Sequence, residues 1–165
     1  MYYTIFDTSA GWIGILGSEA GLRRATLPQP SKPAAYIALG YGLKEARETP
    51  PRFADLVERY RAYFHGQPVE FTDALDLASA APFQRAVWQA TCAIPYGQTQ
   101  SYSWVAARAG NPRAARAAGR ALSVNPLPII IPCHRVLAKD GGLGGYSGGL
   151  PVKRMLLALE TAAGT

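Results

Sequence analysis

The residues best suited to chemistry stand together at Pro132-Cys133-His134-Arg135-Val136. A thiol is a strong nucleophile only as a thiolate, and an adjacent histidine and arginine favour that anion. This predicts a Cys133 that titrates below a free thiol. The other reading is a buried, inert cysteine, because side chains adjacent in sequence usually point apart. The chain has two cysteines, Cys92 and Cys133, and two histidines, His65 and His134. That set supports neither a disulfide framework nor a C-x-x-C or H-x-x-x-H metal spacing. Cys92 lies on a helix with no motif around it and reads as structural. Downstream, residues 140–149 (DGGLGGYSGG) lack the Gly-Lys-Ser/Thr that closes a phosphate loop. They read either as a flexible turn or as a bare backbone that admits a flat ligand. Glu160 reads as a solvated carboxylate unless a neighbour such as His134 needs its charge.

These residues need elements to hold them. Residues 127–131 (LPIII) form an apolar, β-branched run that predicts a short buried strand or extended segment delivering Cys133. Pro82 opens a helix through about Ala93, with Phe83, Ala86, Val87 and Ala90 on one face. Ile94-Pro95-Tyr96-Gly97 then turns the chain. Two short helices follow, over residues 102–109 and 113–123, separated by Gly110-Asn111-Pro112 in the spacing of a helix-turn-helix. On the second, Arg113, Arg116 and Arg120 form one stripe and Ala115, Ala118 and Leu122 the opposite one. A basic stripe is either a solvated face or a helix laid into a nucleic-acid groove. Residues 150–161 make a last helix, with Val152, Met155, Leu156 and Leu159 as its apolar positions.

The first half is less regular. Residues 2–26, broken by Gly11, Gly14, Gly17 and Gly21, predict short antiparallel strands with tight turns. Residues 27–51 hold five prolines and read as loop with one helical turn near residues 36–39. A helix is predicted over residues 52–65, and a short strand followed by a crossing segment over residues 67–81. The domain boundary is placed near Ser79.

Charge separates the same two parts. The whole chain, 165 residues and 48% hydrophobic, carries a net +6. Residues 1–79 hold 8 Lys+Arg against 9 Asp+Glu, whereas residues 80–165 hold 9 against 2. All of the basic excess falls in the second half, which suits a nucleic-acid face there. No apolar run is long enough to span a bilayer, and the N-terminus lacks the pattern of a signal peptide. A soluble, cytoplasmic protein is expected (nuclear in a eukaryote).

Residues 125–136 (NPLPIIIPCHRV) with residues 145–149 (GYSGG) resemble the signature of the O6-alkylguanine-DNA alkyltransferases. Residues 94–102 (IPYGQTQSY) and 110–119 (GNPRAARAAG) resemble that family in the same order. The resemblance covers residues 82–160 well and is thin before residue 80. It implies an α+β protein: a small α/β, ribonuclease H-like domain over residues 1–79, and a helical, winged-helix-like domain over residues 80–165. It further implies that Cys133 takes the alkyl group, once per molecule. His134 would accept the thiol proton through a water, Glu160 would hold that histidine, and Asn125 would order the turn. Tyr102 would bond and help protonate the leaving guanine. Val136, Tyr146 and Ser147 would form the pocket, with the carbonyls of Cys133 and Val136 reading the exocyclic amine. DNA contacts would come from Arg113, Ala114, Ala115, Arg116, Ala117, Gly119, Arg120 and Ser123, Arg116 filling the gap left by a flipped nucleotide. The expected partner is double-stranded DNA carrying O6-alkylguanine, met by a monomer without metal or cofactor.

Three other readings stand beside this one. A lesion binder related to the family would lack the nucleophile, which Cys133 opposes. A cysteine hydrolase would need a Cys133–His134 pair, and no hydrolase signature is present. A helix-turn-helix regulator with a structural cysteine explains the charge but not the PCHRV run, the glycine-rich segment or Tyr102.

Overall fold

In the computed structural model, which describes residues 1–40 and 43–163, the chain divides into two compact units, Met1–Leu77 and Ala78–Thr165. The first is built on a four-stranded sheet in the order β3-β2-β1-β4. Strands β1 (Tyr2–Thr8), β2 (Gly11–Ser18) and β3 (Gly21–Ala25) run antiparallel through tight turns, and β4 (Arg47–Glu48) joins the free edge of β1 in parallel. Alternation along β1 sends Ile5 and Phe6 to opposite faces. Ile5 packs with Leu39 of helix α1 (Lys32–Leu39), and Phe6 packs its ring against Tyr60 of helix α2 (Ala54–Phe64). Gly14 makes the first contact possible, since a Cβ there would lie 2.7 Å from Leu39.

The antiparallel strands match the reading of residues 2–26. Helix α1 is longer than one turn, because the Ser31 side chain caps it at Ala34 N and Pro33 starts it. The helix expected from residue 52 begins at Ala54, after a 3-10 turn, Pro50–Phe53. Residues 67–81 hold no strand. Their backbone meets β3 only around Leu75, through Leu22 N to Ala74 O and Asp76 N to Leu22 O, both 2.8 Å. Two bonds flanking one residue are too few for a ladder.

The second unit packs helices α3 (Pro82–Cys92), α4 (Tyr102–Arg108) and α5 (Ala115–Ser123) on one another, with α6 (Leu150–Ala163) closing the chain. Strands β5 (Gln100–Ser101) and β6 (Val136–Leu137) form a parallel pair. Ala118, Ala121 and Leu122 give α5 its buried face, and the Trp88 indole of α3 donates to Ala121 O at 2.9 Å. Small residues on that face let the helices approach closely, while Arg116 and Arg120 stay exposed. Arg113 is not on this helix. Asn111 Oδ1 accepts from Arg113 N at 3.1 Å and holds it in the preceding turn, so the helical stripe is Arg116 and Arg120 alone.

The run 127–131 is not a strand but a tight turn. Pro126 and Pro128 supply no N–H for a ladder, and Ile131 N bonds back to Leu127 O at 2.8 Å. At its apex Ile129 adopts φ +75°, a left-handed conformation that costs a β-branched residue about 1–3 kcal/mol. Leu127, Ile129, Ile130 and Ile131 are all buried, which offsets that cost at about 1.5–3 kcal/mol per side chain. Helix α6 also differs from its apolar reading. Its inward stripe is Lys153, Leu156 and Glu160, and Met155 is 37% exposed.

Candidate active site

Cys133 opens a single 3-10 turn, Cys133–Arg135, between the strained turn and β6. It is buried, with 5% of its surface exposed. Asn125 grips both the turn and the sulfur. Its Nδ2 donates to Ile131 O at 2.9 Å and to Cys133 Sγ at 3.0 Å, and its Oδ1 accepts from Leu127 N at 2.9 Å. The Tyr146 hydroxyl also favours charge on the sulfur. Pairing of β5 with β6 sets Gln100 against Val136, so the chain leaving Ser101 places Tyr102 at the start of α4 beside this turn.

Sequence logic predicted a Cys133 below the free-thiol range, and the structure reverses that. Burial pushes the thiol up, opposed only in part by Asn125, Tyr146 and the charge of Lys153. The histidine and arginine beside it do not face it. Both side chains reach Glu160 of α6 instead: Nε2 of His134 bonds Oε2, and Nε of Arg135 donates to Oε1 at 2.7 Å. Gly97 N also donates to Oε1 at 3.2 Å, and Arg135 Nη1 donates to Ile94 O at 2.8 Å. Glu160 is therefore no solvated carboxylate; it is 2% exposed. Burial works against its charge, but His134 and Arg135 outweigh it and bring the carboxyl down to about 2.

His134 is fully buried, and that burial holds its imidazole below the usual histidine range in spite of Glu160. Its Nδ1 is buried without a hydrogen-bond partner among the described residues. A neutral imidazole with one nitrogen on an ionised carboxylate can take a proton at the other, and the carboxylate then stabilises the cation. Since the thiol is raised and the imidazole lowered, a base acting at neutral pH gains more here than a preformed thiolate would. The alkylation rate of Cys133 should hold level through neutral pH and fall on the acid side of ~6.5, where His134 protonates late. In His134→Gln the rate at neutral pH should drop by roughly 10²- to 10⁴-fold and climb steadily with pH toward the thiol range. A stopped-flow pH series checks this; identical profiles would mean that His134 is only packed.

In front of the sulfur lies a cleft of about 600 Å³, lined by Tyr102, Ala115, Arg116, Gly119, Leu122, Ser123, Cys133, Gly145, Tyr146 and Ser147. It thus joins the exposed side of α5, the glycine-rich loop and the thiol. Tyr102 donates its hydroxyl to Gly145 O at 3.3 Å, and burial raises the phenol so that it stays a neutral donor.

The family model described as "6-O-methylguanine DNA methyltransferase, DNA binding domain" matches residues 82–162. A second, "6-O-methylguanine DNA methyltransferase, ribonuclease-like domain", matches residues 1–77. The chain belongs to the 6-O-methylguanine DNA methyltransferase family. A methylated-DNA–protein-cysteine methyltransferase of Methanosarcina barkeri is 40% identical over 164 residues, 97% of each chain. One of Mycolicibacterium paratuberculosis is 51% identical over 113 residues, 68% of each chain. Among solved structures, Mycobacterium tuberculosis OGT in complex with DNA is 38% identical, with a TM-score of 0.82 over 99% of this chain and 94% of that one.

Within this methyltransferase fold the residues singled out from sequence fall into three groups. Tyr102, Ala115, Arg116, Gly119, Ser123, Cys133, Tyr146 and Ser147 line the cleft. Asn125 bonds the sulfur, and His134, next to Cys133 in the chain, bonds Glu160. Arg113, Ala114, Ala117 and Arg120 lie outside the cleft wall, Arg113 and Arg120 exposed. Val136 is fully buried and does not line it; its carbonyl accepts from Lys153 Nζ at 2.7 Å, leaving one lone pair for any other donor. Two buried charges act otherwise than the sequence reading has them: Arg135, expected to favour the thiolate but bonded to Glu160, and Lys153, to which no role was given. A signal for the second was present, since Lys153 and Glu160 sit three before and four after Leu156, on its stripe. Among the described residues no group of three His, Cys, Asp or Glu could hold a metal, and no helix is long and apolar enough to cross a membrane.

Proposed function

We propose that this protein repairs duplex DNA by moving the alkyl group of O6-alkylguanine to Cys133, after turning the damaged nucleotide out of the helix. It is a methylated-DNA–protein-cysteine methyltransferase. The observation that carries the assignment is a buried thiol opening onto a 600 Å³ cleft shared with an arginine-bearing helix and backed by a histidine–carboxylate pair. The Cys133 proton passes to His134, relayed by water, while Glu160, itself held by Arg135, holds that imidazole. The sulfur then attacks the alkyl carbon, the carbon–O6 bond breaks, and the electron pair stays on guanine. Tyr102, its one O–H turned from Gly145 O to the base, would meet that developing charge and deliver the proton that leaves the base as neutral guanine. A thioether has no comparable leaving group, so each molecule acts once. Arg116 would stand in for the displaced nucleotide, and Arg113 and Arg120 would contact phosphates. His134 turned toward Glu160 gives no support to a Cys–His hydrolase pair. A thiol of this kind belongs in a reducing compartment, the cytoplasm or a nucleus.

Intact-mass spectrometry after incubation with a duplex containing one O6-methylguanine tests this. The chain should gain the mass of one methylene, mapped to Cys133, and stop at one per molecule. No gain, or a gain on Cys92, would refute the assignment.

A further inference from the structure

We propose that Lys153 is a positioning residue for the transfer, its ammonium fastening the glycine-rich loop to the backbone after Cys133 and standing as a fixed positive charge beside the sulfur. The proposal rests on Cys133 being the acceptor. Lys153 is fully buried on α6. Its Nζ donates to Val136 O at 2.7 Å and to Gly145 O at 3.1 Å, and it also bonds Leu143 O. Three carbonyls use all three N–H bonds of an ammonium. No carboxylate pairs with it among the described residues, and a buried cation without a counter-charge is costly to a fold.

What lies around that charge explains its place. The rings of Tyr102 and Tyr146, both on the cleft wall, stand 5.9 and 6.0 Å from Nζ. Burial works against the ammonium's charge, and the anion that supports it is the Cys133 sulfur, whose own charge Lys153 favours in turn. Among the described residues the other groups that act on the sulfur's charge are Asn125 from the strained turn, Tyr146 from the loop and Tyr102 from α4; His134 faces Glu160. Lys153 is thus the one cation among them. It supplies attraction while negative charge builds on sulfur, and loses its object once the thioether forms.

The same amine fixes the loop. Gly145 O takes hydrogen bonds from both Lys153 and Tyr102. Beside it Gly144 holds φ +64°, and a Cβ there would come within 2.9 Å of the Tyr102 hydroxyl. Loop, phenol and ammonium therefore lock together, and Tyr146 and Ser147 follow directly in the chain.

The test uses full-length protein in a Cys92→Ala background, so that only Cys133 reacts. Iodoacetamide labelling against pH reads the thiol without any base bound, and peptide mapping confirms the site. In Lys153→Met the titration midpoint should rise by about one pH unit, slowing labelling at neutral pH about tenfold. Transfer from an O6-methylguanine duplex should fall further, because the loop is released as well. Lys153→Arg should restore the midpoint but not the full transfer rate. An unchanged midpoint in folded Lys153→Met overturns the proposal. Should that variant fail to fold by circular dichroism, Lys153→Gln replaces it with the same two outcomes. If the duplex alkylates some residue other than Cys133, the functional reading fails, while the labelling curve still decides whether Lys153 governs this thiol.

Discussion

Cys133→Ala is expected to abolish alkyl transfer entirely and to leave duplex affinity unchanged. The lost atom is the one that forms the new bond, and no other group at the cleft replaces it: Tyr102, Tyr146 and Ser147 present hydroxyls, which are poor nucleophiles toward alkyl carbon without a dedicated base. Binding should persist because Arg116 and Arg120 sit exposed on α5, whose buried face packs elsewhere. Truncation leaves Asn125 Nδ2 with its bond to Ile131 O, so the turn keeps its tie. The stability cost should be about 1 kcal/mol, that of one hydrogen bond and a small void. Cys133→Ser should be equally inactive, since its hydroxyl lacks the acidity and softness of a thiol. Cys92→Ala should transfer at the normal rate. Transfer of a labelled methyl group and fluorescence anisotropy on the same duplex report the two quantities. Residual transfer by Cys133→Ala would remove the sulfur from the mechanism.

Arg116→Ala should separate duplex repair from reaction with a free base. Arg116 is exposed, lines the cleft that holds Cys133, and lies between Ala115 and Ala117, so its guanidinium can extend without obstruction. Extruding a nucleotide costs a few kcal/mol of stacking and pairing, least for a damaged pair. A planar guanidinium can stack and hydrogen-bond in the vacancy. Without it, transfer from O6-methylguanine in a duplex should slow by about 10- to 100-fold, the kinetic equivalent of ~1.4–2.7 kcal/mol. Reaction with free O6-alkylguanine base needs no extrusion and should change little. Arg113→Ala, in the turn before α5, should instead weaken duplex binding and flatten its salt dependence without altering the bound rate. Single-turnover rates on both substrates decide the matter. Equal losses on duplex and base would make Arg116 a packing residue.

A great deal of the reaction was legible without coordinates, because it depends on residue types in fixed order. The PCHRV run with Tyr102, Asn125 and the glycine-rich segment pointed to one family and one chemistry. Antiparallel strands over residues 2–26 and helices in the second half followed from glycine placement and periodicity. Those patterns are local, and local physics was enough for them.

Tertiary structure decided the rest wherever a side chain's partner is distant in sequence. The run 127–131 has the composition of a strand, yet Asn125 and two prolines fold it into a turn with Ile129 at φ +75°. Composition cannot report that capture. His134 and Arg135 adjoin the thiol in sequence, but both bond Glu160, 26 and 25 residues away, so the thiol is raised by burial rather than lowered by its neighbours. Lys153 looks like a solvated helix charge until the fold closes three carbonyls around it. Sequence by itself pointed to one chemistry through the order of its motifs and their resemblance to one family, because residue types alone leave a reactive and an inert Cys133 both open. Only the tertiary structure decided how that chemistry is held in check, because a titration depends on which dipoles and charges the fold brings to the atom that ionises.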